Sequence, residues 1–167
     1  MLDLSFFDLI ITDFDGVLTN NNVLTDSNGN ELVSCSRADG LAFDALRKLN
    51  KKVIIISSEQ NEVVIRRAEK LKIEAHYGIK NKAKKIQEIL TKEKVSILKS
   101  IYIGNDLNDF LAIKLFKYSF CPNDSHQLIK NVATYTLKTN GGEGIFRELV
   151  EDVFKIDLIE LLYMSEK

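Results

Sequence analysis

Three observations predict an α/β fold built on a doubly wound parallel sheet for this chain. Short β-branched apolar runs alternate with stretches of helical periodicity along almost the whole length, the pattern of parallel strands joined by crossover helices. Several of those runs end directly in glycine, hydroxyl or carboxylate residues, at the strand ends where sheets of this kind open a ligand crevice. The 167 residues, 45% hydrophobic and 28% charged, suit one compact domain over 1–167 with enough apolar material for a core.

The strands are predicted at 9–12, 53–57, 74–76, 101–103, 118–121 and 134–137. After the first, Leu9-Ile10-Ile11-Thr12, the alternation breaks: 22–25 and 31–35 flank Ser27-Asn28-Gly29-Asn30, and Asn-Gly is a strong hairpin-turn signal. A small β-hairpin flap over about 20–36 is therefore expected. A calcium-loop reading of the same segment fails, because Gly29 falls short of the sixth position counted from Asp26. The first helix, 39–49, carries Leu41, Ala42, Ala45, Leu46 and Leu49 at helical spacing. Further helices are predicted at 61–71, 80–90, 106–116 and 143–163, the last within a C-terminal segment of about 139–167.

With 23 Lys plus Arg against 24 Asp plus Glu and a net charge of −1, the chain lacks the basic footprint of a nucleic-acid partner. No apolar run approaches the roughly 20 residues that span a bilayer, and the N-terminus reaches acidic residues at once rather than forming a basic leader. Cys35 and Cys121 are too few for a disulfide framework, so a soluble protein of the reducing cytoplasm is expected. His76, His126 and Cys121 lie outside every motif and are assigned no chemistry.

Four stretches carry chemistry. In Thr12-Asp13-Phe14-Asp15-Gly16 two carboxylates at i and i+2 follow the first strand, and such a pair attracts a hard cation such as Mg2+, which completes its shell with water and substrate phosphate. One carboxylate can then act as a nucleophile on phosphorus and the other as acid and base. In Ile56-Ser57-Ser58-Glu59 a strand-end hydroxyl can donate to a phosphate oxygen beside a helix N-terminus, although Ser58 reads equally as an ordinary helix cap. Lys82 opens a lysine-rich helix, either to neutralise a phosphoryl group or as part of a solvated face. In Gly104-Asn105-Asp106-Leu107-Asn108-Asp109 a strand again runs into metal-competent residues at a helix start. Occurring in this order on one sheet, the four are poorly explained as coincidence.

Together they resemble the haloacid dehalogenase superfamily of phosphohydrolases: DFDGVLT is similar to its first motif, Ser57 to its second, Lys82 to its third and GNDLND to its fourth. The resemblance covers nearly the whole chain. The hairpin, the Ser36-Arg37-Ala38-Asp39-Gly40-Leu41 segment and the late Gly141-Gly142-Glu143-Gly144 resemble the subgroup without a large cap domain. That subgroup acts on the 8-phosphate of an eight-carbon, or the 9-phosphates of nine-carbon, keto-sugar acids. The resemblance implies a Rossmann-like sheet and a role in making surface polysaccharide precursors. It implies Asp13 as the attacking carboxylate and Asp15 as the acid and base. Ser57 and Lys82 would hold the phosphoryl oxygens. Mg2+ would be held by the Asp13 carboxylate, the Asp15 backbone carbonyl and the first polar residue after Gly104, here Asn105 where the superfamily usually has Asp, with Asp106 as the second choice and Asp106 or Asp109 compensating for the lost charge directly or through water.

Ser58, Glu59, Arg67, Lys70 and Asn108 are the implied sugar-acid contacts, and Ser57-Ser58-Glu59 followed by Arg66-Arg67-Ala68-Glu69-Lys70 resembles the nine-carbon branch. A solvated helix accounts equally for the charged residues from 66 to 70. The resemblance also implies a homotetramer in which the hairpin and the glycine-rich stretch of a neighbour help close the site. Two other classes remain: a receiver-like phosphoacceptor, disfavoured because no lone aspartate follows 74–76, and an inactive binding or regulatory module, for which only Asn105 speaks. A dinucleotide enzyme is weaker still, since no GxGxxG opens a helix after the first strand.

Overall fold

The computed structural model describes residues 2–164; residue 1 and residues 165–167, which the expected domain and C-terminal segment include, lie outside the described residues. In chain order the elements are β1 (Leu9–Thr12), the hairpin β2 (Thr19–Thr25) and β3 (Glu31–Cys35), α1 (Ala38–Lys48), β4 (Lys52–Ile56), α2 (Val63–Leu71) and β5 (Glu74–His76). There follow α3 (Lys82–Glu93), β6 (Ser100–Ile103), α4 (Phe110–Ile113), β7 (Tyr118–Cys121), α5 (Gln127–Val132), β8 (Tyr135–Thr136) and α6 (Ile145–Glu148).

Six strands form one parallel sheet in the order β5-β4-β1-β6-β7-β8. Ile10 sits between Val53 of β4 and Ile101 of β6. The chain runs outward from β1 to β5, crosses back to β6 and runs outward again to β8. Strand order therefore reverses between β1 and β6, where an open α/β sheet leaves a crevice at its carboxyl edge. Both faces of the sheet are covered, which is why its strands read as continuous aliphatic runs rather than alternating ones. On one face Ile10, Val53, Ile55 and Ile101 pack with Phe43, Leu46, Phe146 and Leu149. On the other Leu9, Ile11, Ile54 and Tyr102 pack with Ile86, Ile89, Ile113 and Ile129. Each such side chain stabilises the fold by about 1.5–3 kcal/mol.

Several expected elements change. The helix expected over 106–116 is a 3-10 turn at Leu107–Asp109 followed by the short α4. The helix expected over 143–163 is broken. After α6 it widens into a π-helical turn at Leu149–Val153, ends where Lys155 adopts a left-handed backbone, and restarts behind Asp157, whose carboxylate accepts from the Ile159 and Glu160 N–H groups. The last strand is only Tyr135–Thr136, α2 begins two residues later than expected, and α5 and a 3-10 turn at Leu4–Phe6 were not anticipated.

A strap formed by residues 138–148 crosses the carboxyl edge of the sheet. Its ends are tied by two buried carboxylates: Glu148 accepts from the Lys138 and Thr139 N–H groups at 2.9 and 2.8 Å, and Asp39 of α1 accepts from Phe146 N–H at 2.8 Å. Between them Gly142 N–H donates to the Val17 carbonyl at 3.0 Å. A Cβ at Gly141 would overlap the Gly16 carbonyl, and one at Gly142, whose φ is +73°, would overlap the Asn20 backbone. Only glycine permits this approach.

Burial pushes the Asp39 carboxyl up to about 6, against the Phe146 and Arg147 N–H groups that favour its charge. Since that value lies above the ordinary 3.8, the folded state holds the proton more tightly than the unfolded chain does. The contribution is full below about pH 4 and is lost as pH rises through about 6. Asp39→Asn keeps an acceptor for Phe146 and removes the charge. Its stability relative to the wild type should therefore rise between about pH 4 and about pH 6, by on the order of 3 kcal/mol. Urea unfolding at a series of pH values reads this, and a constant gap would show that Asp39 does not titrate there.

Candidate active site

Asp13 directly follows β1, and its N–H continues the ladder to the Ile103 carbonyl at 2.8 Å. Its carboxylate is buried and held from two sides. Phe14 N–H donates to Oδ1 at 2.7 Å, and Lys82 Nζ lies 2.7 Å from Oδ2. Lys82 is the first residue of α3, whose N-cap Asn81 accepts from Lys84 N–H, and its side chain turns inward, only 2% exposed. The solvated-face reading therefore fails for this lysine. The same Nζ lies 2.7 Å from Asp109 Oδ1, which also accepts from the Tyr102 hydroxyl at 2.6 Å, while Asp109 Oδ2 accepts from Asn105 N–H at 2.9 Å. Asp109 is thus engaged through both oxygens in fixing Lys82 and the Asn105 backbone.

Burial, and after it the Asp109 charge, push Asp13 up to about 8 against the pull of Lys82. Burial works against the charge on Lys82 too, but Asp13 and Asp109 outweigh it and hold the ammonium above its usual range. Desolvation likewise raises Asp15, opposed by the Thr19 hydroxyl, which donates to it at 3.3 Å.

A cavity of about 240 Å³ opens at the switch point, lined by Asp13, Asp15, Ser57, Ser58, Glu59, Asn105, Asp106 and Asn108, all singled out by the sequence, and by Asn21, which was not. Every lining side chain is polar. Ser57 Oγ accepts from Glu59 N–H at 3.0 Å, which leaves its own proton free to donate outward. The N-terminus of α2 does not follow it directly, because α2 begins only at Val63, and Ser58 is no cap: Asn61 accepts from Val63 N–H, and the Ser58 hydroxyl accepts from Asn108 Nδ2 at 3.4 Å.

Asn105 is packed against Gly16, where a Cβ would overlap its amide, and its buried Oδ1 has no hydrogen-bond partner. Asp106 is exposed and caps the 3-10 turn through Leu107 N–H at 2.7 Å. Among the described residues no three His, Cys, Asp or Glu side chains converge as a metal cluster. The candidate donors are the Asp13 carboxylate, the Asp15 main-chain carbonyl and the Asn105 amide oxygen, all of them oxygens that a hard cation accepts.

Arg67 and Lys70 do not join this cavity. They line a separate recess with Arg37, Gly40, Asp44 and Leu71, and Arg67 donates to the Ser36 carbonyl at 2.8 Å. Within one chain the two therefore stand outside the cavity that Asp13 lines. Tyr102 and Thr19 also escaped the sequence reading. The first is detectable only as a phenol in an otherwise aliphatic strand, the second only as the residue closing the Asp15 turn.

Residues 43–149 match the sequence profile described as haloacid dehalogenase-like hydrolase. The chain belongs to that family. A curated haloacid dehalogenase-like relative, the 3-deoxy-D-manno-octulosonate 8-phosphate phosphatase of Haemophilus influenzae, is 30% identical over 147 residues, covering 87% of this chain and 82% of its own. The cobalt-bound crystal structure of the Haemophilus influenzae enzyme superposes with a TM-score of 0.85 at 29% identity, covering 91% and 90% of the two chains. The N-acylneuraminate cytidylyltransferase A of Danio rerio is 26% identical over 147 residues, and the match spans only 34% of that longer protein. This protein is thus a haloacid dehalogenase-like phosphatase related to the octulosonate 8-phosphate phosphatases, and the receiver reading falls away.

Asp109→Ala leaves Lys82 with Asp13 alone and takes the acceptor from the buried Tyr102 hydroxyl and Asn105 N–H. It should lower stability by about 2–5 kcal/mol, read from urea unfolding, since each buried group left unsatisfied costs about 1–3 kcal/mol; a loss under about 1 kcal/mol would show that these groups find other partners.

Proposed function

We propose that the protein is a magnesium-dependent phosphomonoesterase that acts through a phosphoaspartate on Asp13. Its substrate in this reading is an eight- or nine-carbon 2-keto-3-deoxy sugar acid phosphate: ketodeoxyoctonate 8-phosphate, or a ketodeoxynononate or N-acylneuraminate 9-phosphate. The observation that carries the reading is a buried carboxylate clamped by a buried lysine at the floor of an all-polar cavity. The octulosonate phosphatase relative supports the eight-carbon substrate, and Glu59 in the cavity and the cytidylyltransferase relative support the nine-carbon ones.

Asp13, Asp15, Glu59 and Asp106 all line the cavity, so a phosphate dianion enters against four acidic groups unless a cation offsets them. The unpartnered Asn105 Oδ1 fits such an ion. Asp13, Asp15 and Asn105 would hold it, with Asp106 beside them. When bound it neutralises phosphate charge and keeps Asp13 ionised. Asp13 Oδ2 is tied to Lys82 and Oδ1 to Phe14 N–H, so the carboxylate is held in one orientation as it attacks phosphorus and the ester P–O bond breaks. Lys82 and the free Ser57 proton hold the equatorial oxygens, where charge develops. Asp15, whose affinity for a proton burial raises, gives that proton to the leaving sugar oxygen. It then takes one from the water that cleaves the phosphoaspartate, releasing phosphate and restoring Asp13.

We further propose a homotetramer, supported by the exposed Val23, Leu24 and Leu32 on the hairpin; light scattering that finds an active monomer would count against it. Location in the cytoplasm is part of the same proposal. Among the described residues no helix is long and apolar enough to cross a membrane.

The test is phosphate release from the three sugar acid phosphates with and without Mg2+, beside Asp13→Asn. Turnover of at least one ester should need the metal and fall at least a thousandfold in the variant. A variant that keeps more than a tenth of wild-type turnover would remove Asp13 as the nucleophile.

A further inference from the structure

We infer that Asn21 determines leaving-group specificity: its side-chain amide hydrogen-bonds a hydroxyl of the departing sugar without touching the phosphoryl group. This deepens the phosphatase reading and rests on it.

The pairing of β2 with β3 is irregular where Asn21 lies. Thr19 faces Cys35 and Val23 faces Val33, so four steps along β2 are matched by two along β3. Asn21 takes up the excess with φ +63°, a left-handed conformation that asparagine tolerates better than most residues, and irregularities of this kind re-aim side chains beside active sites. The turn is pinned to the chemistry. Thr19 Oγ1 accepts from Gly16 N–H at 3.1 Å and from Asn21 N–H at 3.2 Å, and the same hydroxyl contacts Asp15 at 3.3 Å. Asn21 consequently lines the cavity together with Ser58 and Glu59.

Among the described residues nothing hydrogen-bonds the Asn21 side-chain amide, whereas Asn20 and Asn30 on the same hairpin both use theirs to bond the hairpin. The cavity floor is occupied by the groups of the phosphoryl chemistry. The exposed lining residues are Asn21, Ser58, Glu59, Asp106 and Asn108: two amides, a hydroxyl and two carboxylates. Each hydroxyl of a sugar chain both donates and accepts, and an amide offers the complementary pair of groups. A role confined to the turn would require the left-handed backbone but not the amide, and glycine separates the two.

The experiment compares kcat/KM on the sugar acid phosphates with kcat/KM on p-nitrophenyl phosphate, whose leaving group has no aliphatic hydroxyl, for wild type and Asn21→Gly. The ratio of sugar ester to aryl ester should fall about tenfold in Asn21→Gly, the effect of losing one net hydrogen bond, with the urea midpoint no lower than that of the wild type. A ratio within twofold of the wild type overturns the inference, whether both activities hold or both fall together, the latter meaning that the residue only braces Asp15. Wild-type turnover of the aryl ester alone overturns it while leaving the phosphatase standing. Turnover of neither ester overturns the phosphatase reading itself.

Discussion

The buried ammonium of Lys82 between Asp13 and Asp109 is the interaction on which the rest of the structure depends. Three ionisable groups removed from water would each cost several kcal/mol if charged and unpaired. Here they tolerate burial because each completes the others' hydrogen bonds, with Tyr102 and backbone N–H groups taking the remaining lone pairs. This requirement ties together the ends of β1 and β6 and the start of α3, three segments far apart in sequence. The cavity is where those segments meet.

The same triad sets the electrostatic character of the site. Lys82 is shared between two carboxylates, so it offers little net positive charge outward, and the other acidic groups of the cavity tilt the balance further. A cavity of this kind is poor at attracting anions by long-range steering. Its preference must come from groups in contact, in particular hydrogen-bonding side chains at the rim and an amide oxygen that buries without a protein partner.

Much of this could be read from the sequence, and the parts that could not share a cause. Strand β1 lies where a short aliphatic run predicted it and β4 and β6 lie within one residue of theirs, because two-sided burial leaves an unmistakable pattern. Asp13, Asp15, Ser57 and Asn105 were legible since each follows such a run. For Arg67 and Lys70 helical spacing reveals which residues share a face but not which recess the face overlooks. That depends on how α2 settles against the Ser36 carbonyl, a contact 31 residues away. Asn21 was hidden for a related reason: a run of three asparagines reads as turn-forming polymer, and only the uneven register of the hairpin turns one of them toward the cavity. The C-terminal break at Lys155 has no breaker residue to announce it.

The strap also bears on how the protein is made. Val17, Gly16 and Asn20 are held in place by Gly141 and Gly142, and the strap is secured by Asp39 and Glu148. On a ribosome the carboxylate-bearing loop therefore emerges long before the strap that braces it. Contacts closing over such a separation form late. Until the strap is made the nascent chain can pair β1 with β4 and cover that face with α1, yet still carry an unassembled site. Catalytic competence would then arrive in one step, when the strap docks, rather than growing with the fold.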